Sequence, residues 1–275
     1  MSNVWNTTIL TSEAEAIQVL TDLRGKRWLC RGQSRRYGGL VPSIDRGSLQ
    51  NLSRREKLTL ERQSIDIFRS TARFFADQGE QNALTDDIVA LMVLRHYGVP
   101  TRLLDWSKSP YVAAYFAVQD RDTDDGEIWS FDEPLYEDEK KGPGPQQWKK
   151  WPETTSDSSG DGLKFSAELT AFTVEEPPDW FICGFYPLGF PRQNAQAGAY
   201  SMTARFERDH AEAIASLLGE RSHYHLYVVS ATLKPALRKL LRRVTVSGVG
   251  RSFPILLGLL KPRARSSQVI SSNWN

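Results

Sequence analysis

Two spacings of apolar residues recur along this chain and indicate its secondary structure. Between residues 53 and 79, apolar side chains return close to every third or fourth position, the spacing of one face of a helix. The same reasoning predicts further helices over residues 12–25, 85–98, 109–119 and 234–243. Alternating or short apolar runs predict strands over residues 26–32, 126–131, 163–174, 180–186, 197–204 and 223–233.

Residues suited to helix ends support these assignments. Ser12, Thr85 and Ser109 are placed to act as N-caps, and Pro110 suits the first helical position. Gly98 is placed to end the helix that begins after Thr85. Helices dominate the middle of the chain and strands its second half. This order predicts an α+β fold rather than a repeating βαβ arrangement.

Composition is typical of a soluble globular protein. The 275 residues are 40% hydrophobic and 25% charged. The formal net charge of +2 excludes a strongly basic coat for nucleic acid but allows a local basic groove. Residues 132–162 are rich in charge, Pro, Gly and Ser, which predicts a surface insertion.

Cysteine usage and the terminal segments suggest a cellular location. Cys30 and Cys183 are far apart, fit no metal spacing and are expected to be buried as small apolar residues. The N-terminal segment lacks the pattern of a signal peptide. The apolar run at residues 253–260 is too short to cross a bilayer. We expect a cytoplasmic protein with reduced thiols and no membrane partner.

Polar side chains cluster just before the helix predicted at residues 109–119. Ser107, Lys108 and Ser109 lie where free main-chain N–H groups and the positive end of the helix dipole favour a phosphate. Arg102 would add positive charge. The alternative is structural, with Ser109 as a cap and Asp105 paired with Arg102.

A second candidate is Arg31, on a predicted strand and followed by Gly32. A strand glycine often marks the close approach of a ligand or of another backbone, and the planar guanidinium suits phosphate or carboxylate. The alternative is a buried arginine paired with an acid such as Asp105. Three more arginines are expected to be exposed, either solvated or touching a polyanion: Arg35, Arg36 and Arg46.

A third candidate precedes Gly198, where four polar side chains could point into a cleft: Arg192, Gln193, Asn194 and Gln196. The alternative there is a turn beside an edge strand. His223 and His225 share one face of a strand, but no third ligand is evident, so no metal site is predicted. The chain has no P-loop, dinucleotide fingerprint or Gly-x-Ser-x-Gly motif.

These segments resemble the FRG domain family, named for a Phe-Arg-Gly motif that appears here as Cys30-Arg31-Gly32. "RHYGVPTRLLDWSKSPYVAAYFA" is similar to the family's most characteristic stretch, with Arg95 where glutamine is common. "YGGLVPSIDR", "PRQNAQAGAY" and "LRKLLRRVTVSGVGRSFPILLGLL" resemble other family segments. The resemblance predicts an FRG domain over residues 27–261, an N-terminal helical segment at 1–26 and a tail at 262–275.

The order of these motifs resembles the ADP-ribosyltransferase fold, which implies a split, mostly antiparallel sheet flanked by helices. In that fold a first strand carries an Arg or His that contacts NAD, which corresponds here to Arg31. A second strand with its helix corresponds to the segment containing Asp105 and Ser107. A third strand carries Glu or Gln, which corresponds to Gln196. Glutamine accepts a ribose hydrogen bond but adds no negative charge.

The resemblance implies an NAD-dependent ADP-ribosyltransferase that modifies a nucleic acid or protein in a toxin or phage-defence setting, with NAD as substrate and no metal. The implied catalytic residues are Gln196 and Arg31. The implied NAD contacts are Arg31, Gly32, Tyr97, Arg102, Asp105, Ser107, Ser109 and Tyr115. The expected acceptor contacts are Arg35, Arg36, Arg192 and Asn194. The alternative is a non-catalytic nucleotide- or nucleic-acid-binding module whose groove includes the basic helix at 234–243.

Overall fold

The computed structural model describes residues 4–72, 84, 86–136, 181–185 and 198–246. The strands are β1 (Asn6–Leu10), β2 (Trp28–Gln33), β3 (Leu104–Ser107), β4 (Gly126–Asp132), β5 (Phe181–Phe185), β6 (Gly198–Thr203) and β7 (Tyr224–Val229). The principal helices are α1 (Glu13–Gly25), α2 (Arg54–Ala72), α3 (Asp87–His96), α4 (Pro110–Val118), α5 (His210–Leu218) and α6 (Lys234–Val246).

The strands form one mixed sheet in the order β1-β7-β4-β2-β3-β6-β5. Neighbouring strands are antiparallel except β1 and β7, which run parallel. β2 and β3 pair only where Cys30 lies opposite Ser107, and beyond that pair they diverge. The predicted α+β class, with a sheet flanked by helices, is confirmed.

Two separate helical layers cover one face of the sheet. The first contains α1, α4 and α6, whose apolar residues pack with those of β2, β4 and β7. The second contains α2 and α3, which pack on β5 and β6. On the opposite face one continuous core joins α5 to both halves of the sheet. The boundary between the two helical layers therefore lies above the place where β2 and β3 diverge.

α4 lies unusually close to the sheet because small residues meet at the contact. A β-carbon built on Gly32 would lie 1.8 Å from the main-chain oxygen of Ala113. One built on Gly126 would lie 2.4 Å from the main-chain oxygen of Ala117. The close approach predicted at Gly32 is therefore to another backbone, that of α4.

A buried ion pair joins α2 to the segment before β3. Arg102 and Glu61 are both fully buried, and Nε of Arg102 donates to Oε2 of Glu61 at 2.8 Å. The main-chain N–H of Arg102 donates to Oε1 of the same carboxylate at 3.0 Å. The guanidinium also lies 4.1 Å from the ring centre of Phe206. The ion pair considered between Arg102 and Asp105 is therefore not present.

The basic residues of α6 are partly structural. The ammonium group of Lys234 donates to the main-chain oxygens of Ser34, Asp120 and Arg121 at 2.6, 2.9 and 2.8 Å. Arg238 donates to the main-chain oxygen of Val118 at 2.7 Å. These contacts fix α6 against the end of α4 and the loop after β2, so the fully buried Lys234 is not available to a nucleic acid.

Several local predictions agree with the structure and others differ. Ser12 forms a capping box at the start of α1, as expected. The cap of α3 is Asp86, whose carboxylate accepts from the N–H of Val89, and Thr85 lies outside the described residues. β1 and α5 were not predicted. β1 was missed because four of its five side chains are exposed and leave no apolar pattern.

Some predictions cannot be compared with the structure. Most of the predicted insertion at 132–162, the predicted strand at 163–174 and residues 247–275 lie outside the described residues. Both cysteines are buried and free, as expected. Among the described helices, none combines the length and apolar character needed to cross a membrane.

Candidate active-site cleft

A cleft of about 280 Å³ opens where β2 and β3 diverge. Its floor is formed by β2 from Cys30 to Gln33 and by β3 from Asp105 to Ser107. α4 forms one wall, and the C-terminal end of α3 forms the other. Because the two helical layers do not meet here, the edges of both strands face the same space.

Positive charge dominates this cleft. Three arginines line it, namely Arg31, Arg46 and Arg95. Among the described lining residues, Asp105 is the only carboxylate. The cleft therefore carries a net positive charge and is suited to an anionic ligand.

Arg31 extends from β2 towards β3 across the gap between them. Its Nη1 donates to the main-chain oxygen of Asp105 at 2.6 Å and lies 3.6 Å from Oδ2 of the same residue. The side chain is 8% exposed, and its Nε–H has no acceptor among the described residues. Burial lowers the pKa of Arg31 to about 9, against the opposing effect of Asp105, so the group stays protonated at neutral pH.

Arg95, at the end of α3, holds Asp105 with a guanidinium fork. Its Nε and Nη2 donate to Oδ2 of Asp105 at 3.0 and 2.9 Å. Its Nη1 donates to the hydroxyl of Ser43 at 3.1 Å. Burial alone would raise the pKa of Asp105, but the charges of Arg95 and Arg31 outweigh it and lower that pKa. Asp105 is therefore ionised at neutral pH.

A polar network supports Arg46 at the other side of the cleft. Arg46 donates to the side-chain oxygen of Gln33 at 3.1 Å and to the main-chain oxygen of Val41 at 2.7 Å. Gln33 in turn donates to the buried carboxylate of Glu127 at 2.9 Å. The guanidinium of Arg46 lies 3.8 Å from the ring centre of Tyr37. Arg46 was expected to be exposed, but these contacts leave it only partly accessible.

The start of α4 contributes less to the cleft than its sequence implied. Ser107 lines the cleft, and its hydroxyl accepts from the main-chain N–H of Ser109 at 3.0 Å. Lys108 points elsewhere, with its ammonium group 4.0 Å from Glu133. Lys108 and Ser109 are not among the lining residues. The positive character of the cleft therefore comes from arginines more than from the helix end.

A buried hydrogen-bonded chain supports the floor from behind. Trp106, which lines the cleft, donates from its indole N–H to the hydroxyl of Ser201 at 2.8 Å. That hydroxyl is also 2.8 Å from Nδ1 of His210. Burial lowers the pKa of His210 to about 3, so the ring is neutral at physiological pH.

The structure places the candidate residues as follows. Four of them line the cleft: Arg31, Gly32, Asp105 and Ser107. Six described candidates do not line it: Tyr97, Arg102, Ser109, Tyr115, Arg35 and Arg36. Three lie outside the described residues: Gln196, Arg192 and Asn194. Of the six, Tyr97 is 65% exposed beside the cleft, whereas Arg102 is fully buried in its own ion pair.

Sequence reasoning missed several residues that line the cleft. They include Arg95, His96, Phe116, Gln119 and Tyr200. Arg95 and His96 lie within the segment that resembles the family's most characteristic stretch. Helical spacing placed them at the end of α3 but did not indicate that their side chains face a cleft. Tyr200 was missed because nothing in the sequence shows that it stands opposite Asp105 across β3 and β6.

Residues 26–126 match the model of the FRG domain family. The matched segment includes β2, α2, α3, β3 and α4. It also contains every described cleft-lining residue except Tyr200. Neither a curated protein nor a solved structure matches the chain. In the described part of the chain, no three His, Cys, Asp or Glu side chains are grouped so as to hold a metal ion.

Proposed function

We propose that this chain is an NAD-dependent ADP-ribosyltransferase with an ADP-ribosyltransferase-like fold, which modifies a nucleic acid or a protein. The observation that carries the proposal is the position of Arg31. Its nine-tenths buried guanidinium, whose Nε–H has no acceptor in the described part of the chain, lies in a basic cleft between two diverging strands. A planar guanidinium in such a place is suited to a phosphate or pyrophosphate.

The lining of the cleft supports a nucleotide substrate, while its size accommodates only part of a dinucleotide. Its volume of about 280 Å³ is close to the lower limit of about 300 Å³ for small-molecule sites, so a dinucleotide would extend beyond the mouth. Aromatic side chains from Tyr37, His96 and Phe116 line the cleft beside the arginines. Such rings offer surfaces for a base or a nicotinamide ring.

The proposed reaction is a group transfer at the anomeric carbon of a ribose. The bond to the nicotinamide nitrogen breaks, and nicotinamide leaves with the bonding electrons. An acceptor nucleophile bonds to the same carbon and gives up a proton. Arg31 would fix the pyrophosphate so that the acceptor is aligned, and Gln196 would fix a ribose hydroxyl, as the resemblance implies.

The test is incubation of the pure protein with NAD and a mixture of DNA, RNA and proteins, followed by mass spectrometry. Nicotinamide release and ADP-ribose attached to one acceptor class are expected. Arg31→Lys, which keeps the charge but loses the fork, should reduce release at least tenfold per folded molecule. Arg24→Lys, on the exposed side of α1, is the matched control. Unchanged release by folded Arg31→Lys would make Arg31 structural.

A non-catalytic nucleotide- or nucleic-acid-binding module is the second candidate. It is favoured by Arg36, whose side chain is 59% exposed on the loop after β2. Binding of this kind weakens steeply with salt because it releases counterions. Tight, salt-sensitive binding of nucleic acid without nicotinamide release or transferred mass would support this candidate instead.

A further inference from the structure

We infer that Asp105 recognises a sugar hydroxyl, so that the cleft selects anions that carry a ribose-type diol. This inference rests on the proposed function, because it assigns a role within the same cleft. Three features of Asp105 support this role: the unequal contacts of its two carboxylate oxygens, the exposure of its side chain and the rigidity of its support.

The donors to Asp105 converge on one oxygen. Nε and Nη2 of Arg95 lie 3.0 and 2.9 Å from Oδ2, and Nη1 of Arg31 lies 3.6 Å from the same atom. Among the described residues, no side chain donates to Oδ1, and the main-chain N–H of Asp105 itself adds one hydrogen bond to the carboxylate. A carboxylate oxygen can accept two hydrogen bonds, so Oδ1 keeps capacity for a donor on the ligand.

Asp105 also has the most exposed side chain of this cluster, although it lies deep enough in the protein for burial to act on its pKa. The side chain of Asp105 is 44% exposed, compared with 8% for Arg31 and 18% for Arg95. A ligand in the cleft therefore meets an acceptor as well as guanidinium donors. A phosphate would be repelled by that acceptor, whereas a hydroxyl would donate to it. A ligand that carries both a phosphate and a hydroxyl can pair with the guanidinium groups and with the carboxylate at the same time.

The position of this acceptor is fixed by its neighbours. Arg95 is held by Asp105 and by the hydroxyl of Ser43, which also accepts from the main-chain N–H of Thr101 at 3.1 Å. Asp105 itself is part of β3, which pairs with β6. A rigid acceptor loses little conformational entropy on binding. An ionised carboxylate also forms stronger hydrogen bonds than a neutral group.

The competing interpretation is that Asp105 only balances the charge of two arginines. The two interpretations predict different effects of Asp105→Asn. If Asp105 is only a counter-ion, its negative charge weakens the binding of every anion. Removing that charge should then strengthen the binding of anions with a ribose and of anions without one alike. A hydroxyl acceptor favours diol-bearing anions, so its removal should weaken their binding while pyrophosphate binds as tightly or more tightly.

The experiment is calorimetric titration of the whole chain with inorganic pyrophosphate, ribose 5-phosphate, 2-deoxyribose 5-phosphate and NAD. Wild-type protein should prefer the ribose over the deoxyribose compound by roughly tenfold or more. Asp105→Asn should lose this preference and keep its affinity for pyrophosphate. Asp105→Glu, which keeps the charge but moves the carboxylate, should lose the preference as well. Glu212→Gln, on the exposed side of α5, is the control.

The outcomes separate this inference from the proposed function. The inference is supported if the wild type prefers ribose 5-phosphate and a folded Asp105 variant loses that preference. If NAD is then neither bound nor cleaved, the proposed function is rejected, but the inference about Asp105 stands. A preference that persists in Asp105→Asn or Asp105→Glu overturns the inference, as does its absence from the wild type. If none of the four anions binds, both proposals fail. Thermal unfolding shows which variants are folded.

Discussion

The α-carbon of Gly32 lies directly against the main-chain oxygen of Ala113, so a β-carbon there would come within 1.8 Å of that oxygen. This contact sets the distance between β2 and α4, and thereby the width of the cleft that both elements line. The glycine beside Arg31 thus serves packing of the helix, while the arginine faces the cleft.

Gly32→Ala should destabilise the protein by about 1–3 kcal/mol or more, because α4 must move away from the sheet. Urea unfolding would measure the change. Gly25→Ala is the control, since nothing lies within 4 Å of a β-carbon at that helical position. It should be neutral or stabilising by up to about 1 kcal/mol. Equal midpoints for the two variants would contradict the proposed packing.

Glu61→Ala should destabilise the protein by about 3–5 kcal/mol, because it leaves the fully buried charge of Arg102 without its partner. Glu212→Ala, which removes one partner of the exposed pair with Arg208, should cost less than about 1 kcal/mol. Chemical denaturation of both variants tests this. If Glu61→Ala instead lost little stability and much ligand affinity, Arg102 would be a ligand contact.

His210 should make stability depend on pH in mildly acidic solution. Its pKa is lowered by burial to about 3, against 6.5 for an ordinary histidine. Between these values the unfolded state binds more protons, so stability is complete above about pH 6.5 and falls by up to about 1.4 kcal/mol per unit as the pH drops.

The pH prediction is tested by comparing urea unfolding at pH 7 and pH 5 in wild type and His210→Gln. The loss of stability between these values should be about 2 kcal/mol smaller in the variant, since glutamine does not titrate. His225→Gln, at a partly buried position, is the control and should reduce the loss less. Equal pH dependence in wild type and His210→Gln would show that this histidine is accessible to protons when folded.

Lys234→Met should destabilise the protein by about 2–4 kcal/mol, because three main-chain oxygens lose a charged donor. Lys239→Met, on the exposed side of α6, should change stability by less than about 0.5 kcal/mol. Thermal unfolding of both variants provides the measurement. If Lys234→Met instead retained its stability and lost affinity for nucleic acid, α6 would be a binding surface.

Local features of the fold were readable from the sequence. α1 and α4 begin at the positions predicted from Ser12 and from Ser109-Pro110, because helix starts depend on a few neighbouring residues. Ser12 forms its capping hydrogen bond, whereas the Ser109 side chain forms none. The cluster around Asp105 was also identified, since several polar side chains precede an apolar helix. Arg31 was recognised as a candidate, and its pairing with Asp105 was considered as an alternative.

Other features depend on partners that are distant in sequence. Arg102 and Asp105 are three positions apart, yet Arg102 pairs with Glu61 in the buried interior while Asp105 faces the cleft. Arg46 becomes part of the cleft because Gln33 and the main-chain oxygen of Val41 orient its guanidinium. No spacing in the sequence predicts which acid or carbonyl reaches each arginine.

The sequence by itself determined the helices with strong local signals, the α+β class and the candidacy of Arg31 and Asp105. Only the tertiary structure decided that β2 and β3 separate beyond the single pair of Cys30 and Ser107, and which arginines enter the space between them. The reason is physical. Helix ends and apolar spacing are set by contacts a few residues apart, whereas a cleft is set by the packing of elements that meet only after the chain has folded.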